Sequence, residues 1–187
     1  MKGYEQMANI NDPIERILIS EEEITSRIKE MAEAIDKDYK DKEPLMLSVL
    51  SGSFMFASDL MRAVSIPVGI SFIFASSYGS DTVSSGNVTI HTGKGFDPVG
   101  KDIIIVEDIV DSGRTLKKIK EYLLDEGAKS VELCTFLNKP SRRVVDIDVK
   151  YIGFEVPDEF VVGYGLDFDY KYRQYPFVGV LKKEYYE

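Results

Sequence analysis

The chain reads as an α/β protein with a doubly wound, mostly parallel sheet flanked by helices, and three observations predict this. Runs of branched aliphatics such as Ile103-Ile104-Ile105-Val106 suit strands buried on both faces of a parallel sheet. These runs alternate with segments whose apolar residues recur at helical spacing. The length, 187 residues with 44% hydrophobic and 29% charged content, is enough for one domain with a substantial core and too apolar for a disordered chain.

Residues up to about Asn11 are polar, and Ile14 to Ile19 suits a short strand. Ser20-Glu21-Glu22-Glu23 has the form of a capping box, and Ile24, Ile28, Met31, Ala32 and Ile35 give the following helix its buried stripe. The three glutamates suit the positive end of that helix, which accounts for them without a metal. After Pro44, Leu45 to Leu50 is the first core strand; Ser51-Gly52-Ser53 then leads into a helix with Phe56, Ala57, Leu60, Met61 and Val64 inward. Pro67 to Ala75 is a strand, and the small polar residues from Ser76 to Asn87 suit a mobile functional loop. Val88 to Thr92 resumes as a strand, and Gly93, Gly95, Pro98 and Gly100 mark the turn into the Ile103 strand. Leu116, Ile119, Leu123 and Leu124 define the next helix, and Val131 to Leu137 the next strand. Beyond Asn138-Lys139-Pro140-Ser141-Arg142-Arg143, short strands are expected at Tyr151–Phe154, Phe160–Gly163 and Phe177–Leu181.

A formal net charge of −9 and an isoelectric point near 4.8 argue against nucleic acid or anionic membrane as partners, since both require a basic face. The lone Cys134 lies in a strand pattern, which suits a buried inert thiol and a reducing compartment. No apolar run approaches the ~20 residues that span a bilayer, and the first residues lack a signal-peptide core, so a cytoplasmic location is expected. Walker A and dinucleotide-binding spacings are absent; Gly93-x-Gly95 and Gly163-x-Gly165 lack the third glycine.

The chemistry concentrates in Glu107-Asp108-Ile109-Val110-Asp111-Ser112-Gly113-Arg114-Thr115. A strand, a small-residue loop and a helix start together present backbone N–H groups to an anion, with Ser112 and Thr115 as added donors. Carboxylates at the mouth of such a site would repel a bare phosphate. They are explained by a ligand that also carries hydroxyl groups and a divalent metal, as a Mg²⁺-bound sugar pyrophosphate does. Asp111 could equally be a helix N-cap, one of the two acids could serve only the loop, and a lysine such as Lys139 after a strand is usually a solvated charge. The loops after successive strands can meet at the carboxyl edge of the sheet, where ligands of open α/β folds bind.

This segment resembles the phosphoribosyl-pyrophosphate (PRPP) motif of the type I phosphoribosyltransferases. From about Leu45 to Leu181 the chain is similar to the hypoxanthine-guanine phosphoribosyltransferases. The likeness rests on Leu50-Ser51-Gly52-Ser53-Phe54-Met55-Phe56, Ser76-Ser77-Tyr78-Gly79-Ser80, Phe136-Leu137-Asn138-Lys139-Pro140 and the stretch from Gly153 to Asp167. It implies a single domain over residues 1–187, with a core of about 45–150 and a small hood formed by the chain ends, about 12–20 and 151–187. It also implies transfer of 5-phosphoribosyl from PRPP to N9 of hypoxanthine or guanine, giving IMP or GMP and pyrophosphate, with Mg²⁺ required and a homodimer or homotetramer as the usual assembly.

By the same resemblance Asp111 is the catalytic base at purine N7, and Ser112, Gly113, Arg114 and Thr115 hold the 5′-phosphate. Glu107 and Asp108 face the ribose hydroxyls and, with Asp167, the metal. Gly52, Ser51 and Arg173 bind pyrophosphate, and Ser77 and Tyr78 belong to a loop that closes over the site. Lys139 donates to the 6-oxo group, Phe160 and Ile109 sandwich the base, and the Val161 main chain and Asp167 complete the contacts. Ser51 departs from the family, which usually carries Lys or Arg there, in a turn with a cis peptide expected at Ser51–Gly52. Two alternatives stay open: an enzyme preferring xanthine, and a non-catalytic PRPP-sensing regulator. The regulator would show a basic face and need neither Asp111 nor Lys139 in place.

Overall fold

The computed structural model describes residues 13–77, 88–93 and 95–187. Its main sheet has six strands in the order β4-β3-β2-β5-β6-β7, namely β2 (Leu45–Leu50), β3 (Gly69–Ser77), β4 (Val88–Thr92), β5 (Asp102–Val110), β6 (Ser130–Asn138) and β7 (Tyr151–Glu155). All neighbours pair in parallel except β3 and β4. A second, antiparallel sheet joins β1 (Ile14–Ile19), β9 (Val178–Leu181) and β8 (Val161–Val162).

Alternation along β5 feeds two cores. Ile104 and Val106 pack with Met46, Cys134, Phe136 and the helices α1 (Glu21–Asp38) and α2 (Phe54–Ala63). Ile103 and Ile105 pack with Leu47, Val49 and the helix α3 (Arg114–Asp125) on the other face. Each face of the sheet is thus covered by helices, which is why these strands are apolar throughout. The expected capping box closes α1: the Ser20 hydroxyl accepts from the Glu23 N–H at 3.2 Å, and the Glu23 carboxylate accepts from the Ser20 N–H at 2.8 Å. The expected buried stripe of α1 and the burial of Cys134 are also found.

Several boundaries differ from expectation, each for a physical reason. Ser76 and Ser77 belong to β3, paired with Thr89 and Val88, so the expected loop begins two residues later. Tyr78 and the rest of that loop lie outside the described residues, as do the side chain of Ser77 and the residues up to 12. β5 runs on through the acidic pair, because Glu107 pairs with Thr135 and Ile109 with Leu137 of β6. β7 pairs with β6 and belongs to the main sheet, so the hood strands at this end of the chain begin at β8 instead of residue 151. Leu124 is exposed, since Leu116, Ile119 and Leu123 already complete the buried face of α3. Among the described residues no helix is long and apolar enough to cross a membrane.

β2 is flanked by β3 on one side and β5 on the other, so the chain order reverses between β2 and β5. The loops after these two strands, Ser51-Gly52-Ser53 and Asp111-Ser112-Gly113, therefore open beside each other at the position where such sheets bind ligands.

Candidate functional site

Two adjoining cavities occupy this edge. The larger, about 270 Å³, is lined by Asp108, Ile109, Asp111, Lys139, Phe160, Val161, Leu166 and Asp167. The smaller, about 100 Å³, is lined by Glu107, Ile109, Val110, Asp111, Ser112, Gly113, Thr115 and Leu116. Ile109 and Asp111 line both. Alternation along β5 explains the division, because Glu107 and Asp108 point to opposite sides of the strand.

The smaller cavity is an anion cradle. Gly113 caps α3 at φ 80°, a left-handed conformation, and has no side chain to cap the first turn; only a long bond reaches it from a neighbour, the Arg114 N–H donating to the Ser112 hydroxyl at 3.4 Å. The helix start is thus open to a ligand, and Asp111 is not its N-cap. The loop is held from behind: Val144 N–H donates to the Ser112 carbonyl at 3.2 Å and Lys139 N–H to the Val110 carbonyl at 3.0 Å. A side chain at Gly113 would press on Ile147 and Arg143. Arg114 is exposed and does not line the cavity, so only its backbone is placed to meet a phosphate there. Glu107 is half-buried, and its Oε2 is buried with no hydrogen-bond partner among the described residues. Burial, with the Asp108 charge adding to it, holds the Glu107 carboxyl well above its ordinary range.

The larger cavity combines the apolar side chains of Ile109, Phe160, Val161 and Leu166 with the charged groups of Asp108, Asp111, Lys139 and Asp167. Lys139 is only 9% exposed, and its ammonium donates to the Glu159 carbonyl at 2.7 Å. Burial pulls the Lys139 ammonium below its ordinary value, against the opposing pull of Asp111 and Asp158. It is not the solvated charge that a lysine after a strand usually is. Phe160 keeps 37% of its surface exposed. Its ring stacks on Tyr186 at 4.8 Å and meets the edge of Phe168 at 5.5 Å.

A third group of residues surrounds the turn after β2. The cis peptide is at Leu50–Ser51, one bond before the expected position. Gly52 has no room for a side chain, since a Cβ there would overlap the Asp108 carboxylate. Gly165, at φ 97°, packs against the Gly52 carbonyl, so the turns after β2 and β8 meet backbone to backbone. Arg173 donates to the Gly165 carbonyl at 2.6 Å and pairs with Asp167 at 2.8 Å. Burial pushes Asp108 up to about 6, although the Ile109 N–H at 2.7 Å and the Arg173 charge oppose the shift.

Nearly all the expected residues converge on this one edge. Glu107, Asp108 and Asp167 do not form a single cluster: Glu107 faces the smaller cavity while Asp108 and Asp167 line the larger one. No group of three acids, histidines or cysteines among the described residues is arranged to hold a metal ion. Sequence reading missed Gly165, Phe168, Tyr186 and Arg142. The Gly163-x-Gly165 pair was a visible signal for the first, and nothing in the local sequence marks the others.

Residues 18–169 match the family model described as the phosphoribosyl transferase domain. The chain is 46% identical over 174 residues to the hypoxanthine-guanine phosphoribosyltransferase of Bacillus subtilis, covering 93% of this chain and 97% of that one. It is 48% identical over 165 residues to the hypoxanthine phosphoribosyltransferase of Salmonella typhimurium, covering 87% and 93%. A crystal structure of a hypoxanthine phosphoribosyltransferase from Staphylococcus aureus superposes with a TM-score of 0.90 at 41% identity, covering 96% of this chain and all of that one. One of a hypoxanthine-guanine phosphoribosyltransferase from Bacillus anthracis gives 0.86 at 44%, covering 90% and 99%.

Proposed function

Because the chain belongs to the phosphoribosyltransferase family, in its hypoxanthine-guanine branch, we propose that the paired cavities bind PRPP and a 6-oxopurine. The protein is a purine-salvage enzyme. It transfers 5-phosphoribosyl from PRPP to N9 of hypoxanthine or guanine and yields IMP or GMP with pyrophosphate. The observation that carries the assignment of its cavities is their sharing of Ile109 and Asp111: these residues line both the anion cradle at a helix start and the neighbouring cavity that holds Phe160 and the buried Lys139.

In this reading Ser112, Gly113, Thr115 and the Arg114 backbone take the 5′-phosphate. Glu107 and Asp108 take the ribose hydroxyls from either side of β5. The base lies between Ile109 and Phe160, with the Lys139 ammonium at O6. Adenine, with an amino group there, offers no acceptor to that ammonium. Asp111, common to both cavities, sits beside N7 and accepts its proton as C1 of the ribose acquires oxocarbenium character. The Ser51-Gly52 turn, with Gly165 behind it and Arg173 beside it, takes pyrophosphate through backbone N–H groups, since Ser51 brings no charge. Ser77 ends β3 at the point where the resemblance implies that a closing loop begins, and Tyr78 lies outside the described residues.

A divalent ion fits this donor set. The orphaned Glu107 oxygen and the carboxylates of Asp108 and Asp167 are acids without enough cations to balance them. Mg²⁺ characteristically takes one or two carboxylates together with phosphate oxygens and water, which suits acids that are not gathered in one cage. Bound there, it would neutralise the departing pyrophosphate.

A homodimer or homotetramer is part of the proposal. Ile70, Phe72 and Phe74, which alternate onto one face of β3, remain 36–54% exposed, an apolar face that a second copy can cover. The net charge of −9 and a buried free thiol suit a cytoplasmic enzyme that uses neither nucleic acid nor membrane. The test is a base panel with PRPP and Mg²⁺, measuring pyrophosphate release. Turnover with hypoxanthine and guanine is expected. Faster turnover with xanthine, or none with any base, would replace the assignment.

A further inference from the structure

Asp111 and Lys139 stand on different loops, yet the proposed reaction has them address neighbouring atoms, because N7 and O6 share one edge of the purine. Backbone pairing of Val110 with Asn138 brings their main chains together, and the side chains are joined by a further set of contacts. Asp111 is about half exposed on its loop, and Arg142 donates from Nε to its Oδ1 at 2.7 Å. The other end of the same guanidinium reaches both Asp158 oxygens, at 3.3 and 3.4 Å. The Oδ1 of Asp158 lies 3.9 Å from the Lys139 ammonium. Acid and base thus alternate from Asp111 through Arg142 and Asp158 to Lys139. Arg142 lines neither cavity.

We propose that Arg142 and Asp158 form a charged bridge along the rim of the purine cavity that fixes the Asp111 carboxylate relative to the Lys139 ammonium. Arg142 is then a positioning residue that acts through Asp111, and this rests on the reading of Asp111 as the N7 base. A guanidinium is a rigid planar fork, so one side chain sets both the distance and the plane between the two carboxylates it joins. With Oδ1 held by Arg142, the remaining oxygen of Asp111 is available to the purine. The bridge is exposed, and exposed pairs contribute little to stability. Its effect belongs in turnover, where a displacement of about an ångström costs up to about a hundredfold.

The experiment measures kcat, the KM values for hypoxanthine and PRPP, and melting temperature for R142Q, R142K and D111N and for R142Q combined with D111N. R142Q is expected to lower kcat about tenfold, with the PRPP KM and the melting temperature close to wild type. R142K recovers part of the loss. In the D111N background R142Q has almost no further effect on kcat, because the group it positions is already gone. Wild-type kcat in R142Q overturns the bridge, as does an undiminished loss in the D111N background. Wild-type kcat in D111N instead removes the base assignment and the bridge with it, so the two failures are distinguishable.

Discussion

Replacing Gly52 with alanine directs a methyl group into the Asp108 carboxylate, where the new carbon would lie 2.5 Å from Cγ and 3.3 Å from Cβ of that residue. Something must move, and the backbone has little freedom, since the Gly52 carbonyl is pressed against Gly165 from behind. Asp108 therefore rotates away and loses the 2.7 Å bond from the Ile109 N–H. Overpacking a buried site costs about 1–3 kcal/mol, and a lost hydrogen bond to a charged group about 1.5–3 kcal/mol. Together a destabilisation of about 3 kcal/mol is expected, which for a domain of this size lowers the melting temperature by about 6–12 °C. Calorimetry measures that drop, and steady-state kinetics should show the PRPP KM rising more than the hypoxanthine KM. The decisive comparison uses D108A, which removes the colliding atoms. G52A/D108A should melt within about 2 °C of D108A alone, as expected when one mutation removes the contact that the other disturbs. A wild-type melting temperature for G52A, or a loss that persists undiminished in the D108A background, would refute the steric reasoning.

The other predictions follow from the same geometry. D111N should lower kcat by about a hundredfold or more, the usual contribution of a positioned base, while PRPP binding measured by calorimetry survives; unchanged kcat would remove the base. K139A should cost about 10–100-fold in kcat/KM for hypoxanthine, the value of one hydrogen bond from a charged donor, and erode discrimination against adenine. Equal discrimination in that variant would place Lys139 outside recognition. Y186A removes the ring stacked behind Phe160, and since such pairs are worth about 0.5–1.5 kcal/mol the hypoxanthine KM should rise about 2–12-fold with the PRPP KM unmoved. Equal increases in both constants would mean that the stack serves the fold at large. Asp108 also predicts a pH dependence. Its folded-state value near 6 lies above the ordinary 3.8, so its contribution favours the fold below about pH 4 and is lost as pH rises through 6. Relative to D108N, the wild type without ligand should lose about 3 kcal/mol across that interval; parallel stability curves for the two proteins would contradict the shift.

The elements that the sequence revealed are those in which the local pattern and the tertiary environment demand the same thing. α1 is one: its capping box is built from four adjacent residues and its buried stripe from a strict helical period. β2 is another, with apolar residues required on both faces. The acidic pair obscured the end of β5 because a charged residue in a strand looks like a loop until its partner strand is known; the Glu107–Thr135 pairing supplies that information from 28 residues away. The same limit hid the aromatic support of Phe160. Tyr186 reaches that ring through the pairing of β8 with β9, and no spacing in the sequence encodes the contact. The N-cap alternative for Asp111 was open in the sequence because a left-handed glycine can begin a helix without a capping side chain, and only the structure shows that Gly113 holds that position.

The charge balance of the site connects its parts. Glu107, Asp108, Asp111 and Asp167 face or flank the cavities, against Lys139, Arg142 and Arg173. Two of those cations are already committed to carboxylates, Arg142 to Asp111 and Arg173 to Asp167, and Ser51 supplies none where the family usually has one. A ligand carrying a phosphate and a pyrophosphate would add several negative charges to a site that has no surplus of positive ones. The helix start offsets only about half a charge. The charge of the acids can be met in two ways that compete with each other: protonation, towards which the raised Glu107 and Asp108 tend, or arrival of the ligand with its own divalent ion. In the first state a protonated Glu107 spares the fold the desolvation of two adjacent charges. In the second, with Glu107 and Asp108 holding the ion as proposed, both carboxyls would be ionised. Binding of the metal-laden sugar pyrophosphate should therefore displace protons, which would couple the acids on either side of β5 to the ligand that reaches both of them.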